Sequence, residues 1–286
     1  MRSSILIADS GSTKTDWLLH IEGGEDVRVS TQGINPYYLS QQQMRVIMSD
    51  ELWPQLQEKT ENVGAVCFYG AGCRKDVAHL LEEVLRDFLS VPYVEVHSDM
   101  LAVARATCRD EAGIACILGT GSNSCLYDGV SIVRQTPALG FILGDEGSGA
   151  VLGKRLVGDV FKHQIPDTLA ENFLAEYQLD MNSLLNKVYK QPLPNRYLAS
   201  FTRFLSKYHD EAYVQNLLRE EFSRFIHRNL LQYDAMDLPV HFVGSIAYVF
   251  SQDLVAALEQ NGMKAGSILR SPLDGLVAYH LSKSGS

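Results

Sequence analysis

Ile5-Leu6-Ile7-Ala8-Asp9-Ser10-Gly11-Ser12-Thr13-Lys14-Thr15-Asp16-Trp17-Leu18-Leu19 is the stretch on which the reading of this chain turns. Four apolar residues run into a lone aspartate, a small-residue turn follows, and a second apolar run closes the stretch. That pattern predicts strand, tight turn, strand. Ser10, Gly11 and Ser12 carry so little side chain that backbone N–H groups there can approach a phosphate. Thr13 adds a hydroxyl and Lys14 a cation. Asp9, closing a buried strand, is placed to hold a hydrated Mg²⁺. The same residues also suit an ordinary hairpin with a polar turn.

The layout recurs. Ala115-Cys-Ile-Leu-Gly119-Thr120-Gly121-Ser122-Asn123-Ser-Cys-Leu-Tyr-Asp-Gly129 is again an apolar strand, a Gly/Ser/Thr turn and an apolar strand. An offset of 110 residues puts Gly119 at the place of Asp9 and makes Gly11 coincide with Gly121 and Ser12 with Ser122. Two like halves, each with a phosphate-type turn, predict two similar domains facing one nucleotide. The seam falls in Asp110-Glu-Ala-Gly113, giving domains of residues 1–110 and 111–286.

Composition narrows the classes. The chain has 286 residues, 46% hydrophobic and 21% charged, which is ordinary for globular proteins and enough for a sizeable core. A formal charge of −9 and a pI near 5.4 argue against nucleic acid or an anionic membrane as partner. No segment approaches the ~20 apolar residues of a membrane span, and the start does not read as a signal peptide. The five cysteines, with no C-x-x-C pair, read as reduced thiols in a cytoplasm.

Between and beyond the two hairpins the pattern alternates strands and helices. Residues 27–30 and 131–134 extend the hairpins. Residues 40–56 read as a helix capped by Ser40, 63–69 as a buried strand, 75–89 as an amphipathic helix and 91–96 as a strand. Asn35, held extended by Pro36, is either a turn residue or a ligand for a polar substrate. Asp99 follows a strand and opens a helix, so it is either an N-cap or a carboxylate on the rim where α/β proteins place catalytic groups. Gly140-Phe-Ile-Leu-Gly144-Asp145-Glu146-Gly147-Ser148-Gly149 runs into an apolar helix over 150–161. Its acids either serve a ligand or complement the helix dipole. Residues 168–233 form an inserted helical block with helices over 169–177, 181–189, 197–208 and 210–232. A strand over 239–243 then meets Gly244-Ser245, a turn able to approach a nucleoside. A last strand over 267–270 and a helix over 273–281 complete the chain.

Asp9-Ser-Gly-Ser-Thr13, Ser98-Asp99, Gly119-Thr-Gly-Ser-Asn123, Gly144-Asp-Glu-Gly-Ser148 and Gly244-Ser245 occur in order over residues 5–250. Together they resemble the acetate/sugar kinase, heat-shock chaperone and actin superfamily. Within it the chain resembles the BadF/BadG/BcrA/BcrD ATPase group, most of all its N-acetylglucosamine kinase branch. The resemblance implies an α/β fold of two ribonuclease-H-like domains, with ATP·Mg²⁺ and an amino sugar in the cleft between them and a homodimer as a common assembly. It implies ATP contacts from Ser10, Gly11, Ser12, Thr13, Lys14, Gly119, Thr120, Gly121 and Ser122, with Gly244 and Ser245 on the adenosine side. Asp99 becomes the base for the sugar 6-hydroxyl, and Asn35, Asn123, Gly140 and Asp145 become sugar contacts. Ser10-Gly11-Ser12-Thr13 replaces the usual Gly-Gly-Gly-Thr, and Ala138-Leu139-Gly140 the usual Gly-Trp-Gly, so the sugar is less well defined than the reaction. The implied alternative is an ATPase activator or nucleotide-driven switch of the same group with no sugar substrate.

Overall fold

The computed structural model describes residues 4–11, 13–56 and 63–284, in two compact units. Residues 110–271 form the second unit; the residues before them and the terminal helix form the first. Each unit is built on a five-stranded sheet.

In the first unit the strands are β1 (Ser4–Ser10), β2 (Lys14–His20), β3 (Val27–Gln32), β4 (Val63–Gly70) and β5 (Tyr93–Ser98), ordered β3-β2-β1-β4-β5. β1, β2 and β3 form an antiparallel meander, and β4 and β5 add in parallel. Side-chain alternation divides the residues between two cores. Leu6, Ala8, Trp17, Leu19, Val66 and Phe68 face one, and Ile5, Ile7, Leu18, Cys67 and Tyr69 face the other. Apolar residues on both faces are what a covered, partly parallel sheet requires.

The second unit repeats the order with β6 (Ala112–Leu118), β7 (Ser122–Asp128), β8 (Ile132–Thr136), β9 (Pro239–Val243) and β10 (Lys264–Leu269), arranged β10-β9-β6-β7-β8. The internal repeat is therefore real, but the 110-residue offset is two residues too long. The β1–β2 ladder closes at Ser10↔Thr15 and the β6–β7 ladder at Leu118↔Ser122. Counted from the strand ends, Gly119 stands opposite Gly11, and Ile117 takes the place of Asp9. The second turn is one residue shorter, which is why alignment on its glycines slipped.

The helices of the first half are α1 (Gln41–Ile47), α2 (Trp53–Leu56), α3 (Ala78–Leu89) and α4 (Asp99–Thr107). Ser40 caps α1 through a capping box with Gln43, and a π-helical turn, Met48–Leu52, joins α1 to α2. The second unit holds α5 (Gly140–Leu143), α6 (Gly149–Phe161), α7 (Asp167–Tyr177), α8 (Met181–Tyr189), α9 (Pro194–Ser200), α10 (Thr202–Lys207), α11 (Ala212–Phe225), α12 (Ser245–Val249) and α13 (Ser251–Gln260). The helix expected over 197–208 is two helices broken at Phe201, whose N–H turns back to Leu198 O. The helix expected over 210–232 ends at Phe225 and continues as a π-helical turn and a 3₁₀ turn.

The last helix, α14 (Leu273–Ser284), departs from the expected boundary. Sequence order assigned it to the second domain, but Leu273 and Leu276 pack with Ile5, Ile7, Leu18, Ala102 and Ala106 of the first unit. Burial against that apolar sheet face outweighs chain proximity. Among the described residues no helix is long and apolar enough to cross a membrane. All five cysteines are buried and none forms a disulfide among the described residues.

Candidate active site

In the first unit the parallel register places Ser10, Gly70 and Ser98 side by side, so β1, β4 and β5 end level with one another. Polar groups just beyond parallel strand ends are where α/β folds assemble sites. Asp9 lies one residue inside this edge, on the face of Ile5 and Ile7, opposite Asp16 of β2. Burial, then the charges of Asp99 and Asp16, push its carboxyl up to about 7, against a smaller opposing pull from Lys14. Lys14 itself is exposed and bonded to Asp16 at 2.8 Å.

Asp99 opens α4 but does not cap it. Ser98 is the N-cap, its Oγ accepting from Leu101 N–H at 3.3 Å. Asp99 Oδ1 accepts the N–H of Met100 at 2.9 Å, and its own backbone N–H also faces the carboxyl. Burial raises the Asp99 carboxyl above the usual carboxylate range, with the backbone bonds pulling back. Two half-buried acids with raised affinity for protons thus stand at one sheet edge.

The first turn is less open than its sequence implies. The Ser10 side chain is buried, sharing a 2.7 Å bond with Thr15 Oγ1 and holding Ile34 through its N–H and C=O. Gly11 N–H closes the turn onto Lys14 O at 2.9 Å. Ser12 lies outside the described residues. Thr13 has no hydrogen-bond partner among the described residues, so its hydroxyl remains available. Gly33 supports the turn from beneath: a Cβ there would come within 2.6 Å of Gly11 O and 2.8 Å of Thr13 N. Asn35 is a turn residue whose Oδ1 accepts from Tyr37 N–H at 2.9 Å, while its amide lies against Gly72.

In the second unit Gly119 N–H closes its turn onto Gly121 O, and the carbonyls of Gly119 and Thr120 accept from Gly149 and Ala150 at the start of α6. Thr120 is exposed, and its hydroxyl has no partner among the described residues. Asp145, in left-handed backbone at φ 55, folds onto this turn and accepts from Ser122 N–H at 3.3 Å. Burial raises its carboxyl, Glu146 adding to the rise and Ser122 and Lys154 opposing it. Neither acid merely complements the helix dipole. Ser148 is the N-cap of α6, and buried Glu146 pairs with Arg228 and accepts from Asn229 at 3.3 Å. Asn123 Oδ1 is taken by Ser124 N–H and Gln135, which binds it into the sheet. Gly140 is exposed at φ 71 and begins α5.

Gly244 fits tightly behind the second turn at φ 134. A Cβ there would lie 2.2 Å from Leu118 O, a contact and a conformation only glycine accommodates. Ser245 beside it is exposed and joins Gly119 and Thr120 in lining a cavity of about 500 Å³. Arg196, Arg203 and Arg270 line the same cavity. These arginines went unnoticed in the sequence, because α9, α10 and the end of β10 meet only in three dimensions.

A second polar group was also missed. Tyr69 OH bonds His280 at 2.8 Å and Arg105 at 2.7 Å, and Arg105 pairs with Glu95 at 3.1 Å. It ties α14 and β4 to α4, the helix that carries Asp99.

Sheet order, repeated meander and paired units define the actin-like ATPase fold, and solved structures agree. A crystal structure called "Putative N-acetylglucosamine Kinase" from Porphyromonas gingivalis is 45% identical at a TM-score of 0.93, covering 96% of this chain and 98% of that one. One of the same description from Chromobacterium violaceum is 17% identical at 0.72, covering 97% and 99%. The ROK hexokinase from Thermus thermophilus is 14% identical at 0.51, covering 98% of each. The latter two show the fold alone. No protein-family model and no curated protein matches the chain. The chain belongs to the family of the Porphyromonas gingivalis protein.

Proposed function

We propose that the chain is an ATP-dependent sugar kinase of the BadF/BadG/BcrA/BcrD group, acting in the cytoplasm on the 6-hydroxyl of N-acetylglucosamine or a related N-acetylated amino sugar. The observation that carries this reading is the acid pair of the first unit. Asp9 and Asp99 are both half-buried at one sheet edge, each with a raised carboxyl, and neither forms a salt bridge among the described residues. Such an arrangement costs stability and is typical of groups retained for chemistry.

Asp9, with Asp16 and Asp99 adding negative charge, is the hard oxygen donor set that suits Mg²⁺. When bound, that ion would neutralise charge on the donor phosphates. The chain's own groups supply the rest. Asp99, which is not the N-cap of its helix, takes the proton of the acceptor hydroxyl, and its raised affinity for protons suits a general base. The free hydroxyls of Thr13 and Thr120 hold phosphates. The cavity beside Gly244 and Ser245 takes the nucleotide, with those two residues on its nucleoside side, and Asp145 and Asn35 bond sugar hydroxyls. Kinase chemistry asks mainly for this positioning.

The test is ADP release from ATP·Mg²⁺ with N-acetylglucosamine, N-acetylmuramic acid, glucosamine, glucose or no sugar, run beside Asp99→Asn. Strong stimulation by one amino sugar, lost in the variant, is expected. Equal turnover with and without sugar overturns the reading.

A further inference from the structure

The arginines of the second-unit cavity form a pattern that the proposed reaction does not require. Among the described residues, Arg28, Arg45, Arg74, Arg105, Arg155, Arg224 and Arg228 each have a carboxylate partner. Arg86, Arg109, Arg134, Arg196, Arg203, Arg219 and Arg270 have none, and three of these, Arg196, Arg203 and Arg270, line one cavity with Thr120 and Ser245. In a chain of net charge −9, three unneutralised guanidiniums around one cavity repel each other unless an anion joins them. Guanidinium forks match phosphate oxygens in geometry as well as charge. The cavity's other lining is poor in groups that read a base. Its one aromatic ring, Phe250, is buried in the core, and its neutral polar side chains are the hydroxyls of Ser200, Thr202, Ser206 and Ser245, beside that of Thr120. Hydroxyls donate and accept alike and discriminate weakly among bases.

We infer that Arg196, Arg203 and Arg270 select the phosphoryl donor by its phosphates and leave its base loosely specified, so that purine and pyrimidine nucleoside triphosphates all serve. This rests on the kinase reading for its ligand and assigns the helical block a role: α9 and α10 bring two of the three arginines to the donor.

The test measures binding of ATP, GTP, UTP, adenosine and inorganic tripolyphosphate by titration calorimetry at low and high salt. The proteins are the full-length chain and its Arg196→Ala, Arg203→Ala and Arg270→Ala variants, with Arg→Lys at each position. Melting curves check folding, which exposed arginines should not affect. In the unsubstituted protein the three triphosphates are expected to bind within about tenfold of one another. Adenosine should bind at least a hundredfold more weakly, and tripolyphosphate should compete with ATP. Each alanine variant should lose roughly tenfold in triphosphate affinity, with a shallower salt dependence, and lysine should restore part of the loss. ATP binding a hundredfold tighter than GTP and UTP, or alanine variants that bind ATP normally, overturns the inference. Failure of the kinase reading looks different: triphosphates bind as described, but no sugar stimulates turnover.

Discussion

Replacing Asp9 with asparagine should stabilise the protein while removing its reaction. The carboxyl stands at about 7 in the folded chain against an ordinary value of 3.8. That difference corresponds to about 4 kcal/mol of folding free energy once the group is ionised in both states. A group whose affinity for protons is raised by folding costs nothing below its unfolded pKa, and its cost grows until pH passes the folded value. The penalty therefore develops between pH 4 and 7 and is complete at pH 8. Asparagine keeps the shape and carries no charge, so Asp9→Asn should be more stable than the unsubstituted protein by about 2–4 kcal/mol at pH 8. Partial access of Asp9 to solvent sets the lower end of that range. Trp17 and Trp53, the chain's two tryptophans, both belong to the first unit, so tryptophan fluorescence in a denaturant titration reports that unit. Turnover with Mg²⁺·ATP should be lost in the same variant. An asparagine variant less stable at pH 8, or a gain unchanged between pH 5 and 8, would show that Asp9 is not under electrostatic strain.

Asp99→Asn should retain ATP binding by calorimetry and lose about 10²–10⁴ in turnover. In the unsubstituted enzyme, kcat/KM should fall on acidification with a midpoint above the ordinary carboxylate range; a midpoint near 4 argues against Asp99 as base. His280 is held neutral by burial, its pKa brought down to about 4. Its stabilising effect is complete above 6.5 and declines as pH falls toward 4, by up to about 3 kcal/mol. This slope is opposite to that of Asp9, so His280→Phe should lose stability with rising pH between 5 and 6.5 more steeply than the unsubstituted protein, as read by denaturant titration. Gly244→Ala places a methyl group against Leu118 O. It should lower stability by roughly 2 kcal/mol and weaken nucleotide binding at least tenfold, whereas normal binding would separate Gly244 from the donor site.

What the sequence revealed and what it concealed divide along the range of the interactions. Both hairpins were legible because their signal is local: alternating apolar runs around a small-residue turn. So was Ser40, whose capping box lies within four residues. The offset between the halves slipped by two because glycines in a turn carry less register information than the ladder that closes it, and the ladder is not visible in one dimension. Asp99 shows the same limit at a single residue. From sequence it could have been a cap, and only the Ser98–Leu101 bond frees it from that role. Ser10 went the other way. Its small side chain suggested an open phosphate loop, while a bond to Ile34, twenty-four residues away, turns it inward.

The features that sequence reasoning missed share a cause. α14 joins the first unit because Leu273 and Leu276 find an apolar sheet face there, and no periodicity within a helix announces which sheet it will cover. His280 then reaches Tyr69, and through it Arg105 on the helix that begins with Asp99. Arg196, Arg203 and Arg270 look like ordinary surface charges until α9, α10 and β10 bring them around one cavity. A lone arginine in a sequence therefore says little about function. Its significance comes from the carboxylates it lacks, and only the fold shows which carboxylates are within reach.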